Sequence, residues 1–180
     1  MTRGDADLRE LTRTLQPFHQ VIVFDNLKGL TLEGYPDRKV YGRYLAAMKA
    51  STEYIYTQDD DCLINVARLC KEYEPGELLC NVLPTHQPFY QSTGGIQLVG
   101  WGAIFPKSMI DFSPYLAKYP EDELFDRECD RVFTWLNRDK TRVVDIGVEH
   151  LPSAHGKDRM GAEARHGADL MEIRKRLASL

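Results

Sequence analysis

The sequence predicts an α/β fold in which helices flank a mostly parallel central sheet, and three observations favour this class. The early half alternates amphipathic stripes with short apolar runs, as strand–helix–strand units do. Residues 21–24 form a continuous apolar run, which is typical of a strand buried on both faces. Acidic residues follow two predicted strands, at Asp25 and at 59–61, where ligands bind in such sheets. No linker or repeat interrupts residues 1–180, which predicts a single domain.

Hydrophobic periodicity predicts the individual elements. A first helix over residues 5–16 ends at Pro17, and a Gly- and Pro-containing loop covers residues 28–37. Apolar stripes at helical spacing predict the helices; they are Leu8–Leu11–Leu15, Tyr41–Leu45–Met48, Leu63–Ala67–Cys70, Phe125–Cys129–Val132–Phe133–Leu136 and Leu170–Ile173–Leu177–Leu180. The predicted strands are residues 21–24, 54–58, 79–83, 97–105 and 142–148.

Composition narrows the class of protein. The net charge of −4 argues against a protein that coats nucleic acid. No apolar run approaches the roughly 20 residues of a membrane span, and the polar N-terminus lacks a signal-peptide core. The four cysteines show no C-x-x-C spacing, so neither a zinc site nor a disulfide framework is predicted. We therefore expect a cytoplasmic protein with reduced cysteines.

Three consecutive carboxylates, Asp59, Asp60 and Asp61, follow the predicted strand 54–58. Carboxylates crowded at a buried strand end repel one another and lose hydration, and a cation relieves both costs. Hard oxygen ligands suit magnesium or manganese. The alternating acids and central glycine of an EF-hand are absent. The alternative is a solvated acidic turn.

The order of these parts resembles the GT-A-fold glycosyltransferases, of the exostosin-like and the bacterial nucleotide-sugar types. The matching segments are VIVFDN, YGRYLAAMKASTEYIYTQDDDCLI, QLVGWGAIFPKSMI and DRECDRVFTWL, and they cover most of residues 5–150 in order. The resemblance implies a Rossmann-like sheet that carries a D-x-D metal motif. It departs from the family at the start, where the usual first strand is missing before residues 1–5. Either the start of the sequence has been placed too late, or the sheet lacks that strand. Without that strand, residues 21–24 would have an edge that could pair with another chain in a homodimer.

The resemblance also implies a divalent metal, manganese first and magnesium second, that bridges the diphosphate of a nucleotide sugar, with a UDP-sugar as the expected donor. Asp59 and Asp61 would bind the metal, and Asp60 would lie nearer the ribose or the donor sugar. His155 matches a third metal ligand in many relatives, and His150 competes with it for that role. Arg159 would contact the diphosphate.

Further nucleotide contacts are implied at Asp25, which would read the base, at Arg43, and at Thr2 and Arg3 in the opening loop. Asp25 has an Asx turn or helix cap as its alternative. Arg43 has a solvent-facing helical position as its alternative.

On the acceptor side, the resemblance implies a carboxylate in the late acidic helix, Asp130 first and Glu128 second, with the upstream pair Glu121–Asp122 as an alternative to Glu128. An inverting enzyme would use it as general base, and a retaining enzyme would use it to orient the acceptor or steady the reaction centre. Trp101 and Gly102 would contact the acceptor, and Trp101 would present an aromatic face to a sugar or base, with a core position as its alternative. Tyr90 would belong to an acceptor loop.

The expected function is metal-dependent transfer of a sugar from a nucleoside-diphosphate sugar to a hydroxyl acceptor. Glycan, protein hydroxyl, lipid carrier and modified nucleobase all stay open as acceptors. One alternative is a degenerate transferase that only binds nucleotide or glycan. The other is a nucleotidyltransferase of related architecture, which the sparse MTRGD start disfavours because it lacks a Gly-rich basic phosphate loop.

Overall fold

A computed structural model describes residues 9–15, 18, 20–22, 38–88, 97, 99–151 and 159–180, with the side chains at 10, 12 and 159–166 excepted. The helices are α1 (Arg9–Thr14), α2 (Gly42–Lys49), α3 (Val66–Glu72), α4 (Ser113–Leu116), α5 (Glu123–Leu136) and α6 (Arg159–Ala178). The strands are β1 (Tyr54–Thr57), β2 (Cys62–Leu63), β3 (Leu78–Asn81), β4 (Ala103–Pro106), β5 (Thr141–Val144) and β6 (Glu149–His150). Short 3₁₀ turns cover Lys39–Tyr41, Lys107–Met109 and Arg138–Lys140.

The central sheet is mixed, with its strands in the order β1-β4-β3-β5. β4 pairs antiparallel with both β1 and β3, and β3 pairs parallel with β5. The α/β class is confirmed, but the mostly parallel sheet is corrected, because most of these pairings are antiparallel. The sequence pattern could not give this direction. All four residues of β4 are buried, and an apolar run reports burial on both faces whichever way the strand runs.

The pairing places several strand ends at one edge of the sheet. Because β1 and β3 both run opposite to β4, and β5 runs with β3, the carboxyl ends of β1, β3 and β5 meet there. The start of β4 lies at the same edge. The small β2–β6 sheet adjoins it, with Cys62 opposite His150 and the Leu151 amide bonded to the Asp61 carbonyl at 2.8 Å. The residues that follow β1 are thereby fixed from several sides.

The main core lies between this sheet and the helices α2 and α5. Phe125, Cys129, Val132 and Phe133 are buried along α5, which confirms the predicted stripe of this helix. The Asp122 side chain caps the helix by accepting from the Phe125 amide at 2.9 Å. Aromatic rings fill the space towards α2 and the sheet, in contacts among Tyr41, Tyr44, Phe105, Phe112, Phe125 and Phe133. The core therefore fixes α2 and α5 against each other.

The predicted face of α3 is wrong, and the stripe predicted for α2 is confirmed at Tyr41, which is buried, but wrong at Met48. In α3 the buried residues are Val66 and Leu69, whereas Ala67 and Cys70 are exposed. The helix begins after the Asn65 cap, since β2 takes up the preceding residues, and its face is turned by one position. In α2 the buried face includes Tyr44 and Ala47, whereas Met48 is 43% exposed.

Several predicted boundaries also change. The strand predicted over 97–105 is limited to Ala103–Pro106, and the one over 142–148 is limited to Thr141–Val144. Val21 and Ile22 lie outside any strand, and the rest of the predicted strand 21–24 falls outside the described residues. In α6, Ile173 and Leu177 are buried as predicted, but Leu180 is 40% exposed beyond the helix end.

Candidate functional site

The acidic segment 59–61 lies at the edge where β1, β3 and β5 end, directly after β1. The Asp59 amide donates to the Gly100 carbonyl at 2.8 Å, which joins the acidic segment to the turn before β4. The Asp59 carboxylate lies over Gly100 itself, because a Cβ on that glycine would stand 2.0 Å from Asp59 Oδ2. Any larger residue at position 100 would therefore displace the Asp59 carboxylate from this position.

Arg43 of α2 lies between two carboxylates of the site. Its Nη2 contacts Asp59 Oδ1 at 2.5 Å, and its Nη1 stands 3.3 Å from Asp130 Oδ2. The side chain is only 6% exposed, and its Nε and Nη1 make no hydrogen bond within the described part of the chain. Burial disfavours the charged guanidinium, but Asp130 and Asp59 outweigh that cost and raise the pKa of Arg43. Arg43 thus joins α2, the end of β1 and α5.

Of the two candidate carboxylates in α5, Asp130 belongs to this cluster. Its Oδ1 accepts from the Tyr44 hydroxyl at 2.7 Å, in addition to the Arg43 contact. Burial raises the pKa of the Asp130 carboxyl, against the lowering effect of Arg43 and Tyr44. Glu128 is 4% exposed and bonds to Arg131, one turn along the helix. The structure therefore brings Asp130 to Asp59 and gives Glu128 a different partner.

Asp60 and Asp61 each carry one carboxylate oxygen that has no hydrogen-bond partner among the described residues. Asp60 Oδ2 and Asp61 Oδ1 are buried and make no hydrogen bond with the described residues. Burial raises the pKa of the Asp61 carboxyl, and Asp59 and Asp60 raise it further. Buried oxygens that lack partners, in a cluster that repels its own charge, fit a hard divalent cation. Within the described ranges no group of three or more His, Cys, Asp or Glu side chains is already arranged around a metal position.

Trp101 follows Gly100 at the same edge and is half-buried. Its ring meets the rings of His86 and His150 edge to face, with centroids 4.9 and 5.0 Å away. His150 also lies near enough to Asp61 to lower the pKa of that carboxyl. The Trp101 indole and two exposed imidazoles therefore border the acidic segment on the side of β6.

Gly102 has a packing role in this turn. Its φ is +96°, and a Cβ there would stand 2.3 Å from Ile64 Cδ1. Gly102 therefore allows the chain to turn closely over the Ile64 side chain, and it is buried.

Asn81 is a site residue that the sequence did not indicate. It ends β3 and is fully buried, and its Nδ2 donates to the carbonyls of Trp101 and Gly147 at 3.0 and 3.1 Å. Its Oδ1 accepts from the Ile146 amide at 3.0 Å. One side chain thus ties the Trp101 turn to the segment after β5. A polar residue in the middle of the predicted strand 79–83 was the available signal, since such a residue needs hydrogen-bond partners when it is buried.

Several predicted site residues lie outside the described residues, namely Thr2, Arg3, Asp25, Tyr90 and His155. Arg159 is the first residue of α6, but its side chain is not among those described. Most of the remaining predicted residues gather at one edge of the sheet, namely Arg43, Asp59, Asp60, Asp61, Trp101, Gly102 and Asp130. Glu128 does not join them and pairs with Arg131.

Comparison with known proteins gives no relative to set beside this geometry. No family model matches the chain, and the searches of curated proteins and of solved structures found no match. No described helix combines the length and the apolar character that crossing a membrane requires.

Proposed function

We propose that this protein is a metal-dependent glycosyltransferase that moves a sugar from a nucleoside-diphosphate sugar, with UDP as the expected nucleotide, to a hydroxyl acceptor. One observation carries the proposal: Asp59 and Asp130, which are distant in the sequence, contact the same buried guanidinium of Arg43. The acidic segment and the late acidic helix therefore belong to one site. A solvated acidic turn would not require a buried cation between two elements.

The sequence favoured Asp59 and Asp61 as metal ligands. Because Arg43 contacts Asp59, we assign Asp60 and Asp61 to the divalent cation instead. Their buried oxygens without partners support this assignment. Manganese is the expected ion and magnesium the second choice. When bound, the ion neutralises charge on the diphosphate leaving group. A cation at these carboxylates also offsets the repulsion that raises the pKa of Asp61.

Asp130 is the carboxylate that we assign to the acceptor side. In the transfer, the acceptor hydroxyl oxygen forms a bond to the anomeric carbon as the bond to the diphosphate oxygen breaks. The hydroxyl proton must leave, and a carboxylate can take it. Burial raises the pKa of Asp130, which makes it a better proton acceptor at neutral pH. In a retaining reaction the same carboxylate would orient the acceptor.

Trp101 would present its indole to the acceptor, beside the acidic segment. The edge-to-face contacts with His86 and His150 hold the Trp101 indole in place. A fixed indole at this border supports the proposal that an acceptor ring stacks on it. The acceptor class is left to experiment, because an aromatic face binds a sugar and a base alike.

Turnover of a panel of UDP-sugars, followed as UDP release with and without Mn²⁺, tests the proposal. We expect Mn²⁺-dependent release that Asp61→Asn abolishes and that Asp130→Asn lowers by about 10²- to 10⁴-fold. Asp139→Asn serves as the matched control, since Asp139 is exposed in the 3₁₀ turn Arg138–Lys140. Nucleotide binding without any turnover would instead favour a protein that only binds the nucleotide.

A further inference from the structure

The Asp59 carboxylate is held on both of its oxygens. Oδ1 receives Arg43 Nη2 at 2.5 Å, while Oδ2 lies against Gly100, where an added Cβ would stand 2.0 Å away. The backbone of Asp59 is fixed as well, through its amide bond to the Gly100 carbonyl. We call this arrangement of Arg43 and Gly100 around Asp59 the Asp59 socket.

Arg43 is poorly placed to contact a nucleotide directly. The side chain is 6% exposed, and the Nε and Nη1 atoms that lack hydrogen-bond partners are buried. A phosphate could reach these atoms only if the residues that cover them moved. The two groups that the Arg43 guanidinium contacts are the carboxylates of Asp59 and Asp130.

We propose that the Asp59 socket is a positioning device, in which Arg43 and Gly100 fix Asp59 and thereby aim Asp60 and Asp61 at the cation. This inference rests on the proposed function, because it assumes that a cation binds at those two carboxylates. Arg43 then acts through the carboxylates and not by contact with substrate. It also sets the distance between the acidic segment and Asp130, since one guanidinium contacts both.

A methyl group on Gly100 would disturb the socket. It would overlap Asp59 Oδ2, so this carboxylate, which is 32% exposed, must rotate from the position in which it contacts Arg43. That rotation would leave a buried guanidinium without its nearest partner, which is costly. The next two residues along the chain are Asp60 and Asp61, so a shift of Asp59 changes their direction. Groups that orient metal ligands in this way typically change metal affinity by about 10- to 100-fold when they are altered.

Calorimetric titration of Mn²⁺ alone into the folded full chain measures this effect. We expect Gly100→Ala and Arg43→Met to weaken Mn²⁺ binding by about 10- to 100-fold. The Mn²⁺ affinity of Arg43→Lys should lie between those of these variants and of the unaltered protein. Lysine keeps the positive charge but lacks the two-pronged guanidinium that contacts both carboxylates. Gly167→Ala is the glycine control, since nothing lies within 4 Å of a Cβ there.

Arg131→Met is the matched arginine control. Arg131 is 8% exposed and bonds to Glu128 outside the socket, so its loss removes a comparable buried guanidinium. It should lower the melting temperature without changing Mn²⁺ affinity. A second measurement is made in metal-free buffer and compares melting temperatures. Gly100→Ala should lower the melting temperature when Asp59 is present. In the Asp59→Ala background, where no carboxylate lies against position 100, Gly100→Ala should leave the melting temperature unchanged.

The outcomes separate the two claims. If the unaltered protein binds Mn²⁺ and the folded Gly100→Ala and Arg43→Met variants bind it equally well, the positioning role is overturned and the proposed function survives. If the unaltered protein does not bind Mn²⁺, the proposed function fails and the positioning role fails with it. If the stability losses of Gly100→Ala and Asp59→Ala add in the double variant, the two residues do not interact. That result refutes the Asp59 socket, independently of the Mn²⁺ titrations.

Discussion

The hydrogen bonds of Asn81 give the most direct test of how the site edge is held together. Replacing Asn81 with alanine removes both carbonyl contacts, to Trp101 and Gly147, and the contact from the Ile146 amide. Three backbone groups then lose their partner: the buried amide of Ile146 and the partly buried carbonyls of Trp101 and Gly147. A group left without a partner costs about 1–3 kcal/mol when it is buried, so about 1 kcal/mol for each of the three gives an expected loss of about 3 kcal/mol.

Urea unfolding followed by circular dichroism measures the loss as a lower midpoint at unchanged slope. For a chain of this size, about 3 kcal/mol corresponds to a fall in melting temperature of roughly 6–12 °C. Asn65→Ala is the control. Asn65 is exposed and caps α3 with one bond to the Arg68 amide at 3.0 Å, a contribution of about 1 kcal/mol. If Asn81→Ala lowers the free energy of unfolding no more than Asn65→Ala does, the Asn81 hydrogen bonds do not hold the site edge together.

Three further predictions concern buried charge, pH and backbone. Arg43→Met should cost about 1.5–3 kcal/mol in urea unfolding, because it removes charge-assisted contacts to two partly exposed carboxylates, Asp59 and Asp130. Arg142→Met should cost at most about 1 kcal/mol, because its pair with Glu77 is partly exposed; equal losses would contradict the argument. Burial and the neighbouring carboxylates raise the pKa of Asp61 in the folded state above its unfolded value. The folded state therefore binds the Asp61 proton more tightly, and the stability of the protein falls as the pH rises from the unfolded pKa through the folded pKa. Asp61→Asn should therefore melt higher than the unaltered protein at pH 7 in metal-free buffer and lose this advantage below about pH 4; a lower melting temperature at pH 7 would be the contrary result. Gly102→Ala should destabilise by more than about 1 kcal/mol because of its positive φ and the close Ile64 side chain. Gly167→Ala, in an open and exposed part of α6, should stabilise the protein by up to about 1 kcal/mol. Urea unfolding measures both glycine variants, and a Gly102→Ala protein as stable as the Gly167→Ala protein would contradict the prediction.

The sequence predicted well those elements whose pattern was long. The stripe of α5 extends over four turns, so its period fixed the buried face, which includes Phe125 and Phe133. Short elements were predicted poorly. In α3, seven residues carry too few apolar positions to define a face, and the Asn65 cap moved the start of the helix. Strand direction was not predictable at all, because β4 is apolar on both faces and its antiparallel course is set by tertiary pairing.

The sequence identified several residues of the candidate site but not the contacts between them. The run Asp59–Asp61 was visible because three adjacent acids are chemically unusual after a strand. Arg43 was identified, but its burial between Asp59 and Asp130 depends on how α2 packs against α5, which no local pattern gives. Tyr44 was missed, since a hydroxyl bonded to a distant carboxylate leaves no trace in sequence spacing. The same holds for the partners of Asn81.

Calorimetry of UDP in the presence and absence of Mn²⁺ tests the central claim most directly. The claim is that Asp60 and Asp61 hold a divalent cation through which the site recognises a nucleoside diphosphate. We expect UDP to bind only with Mn²⁺ present, and we expect Asp60→Ala/Asp61→Ala to abolish this binding while Asp139→Ala retains it. Equal UDP binding with and without metal, or no UDP binding under either condition, would contradict the account.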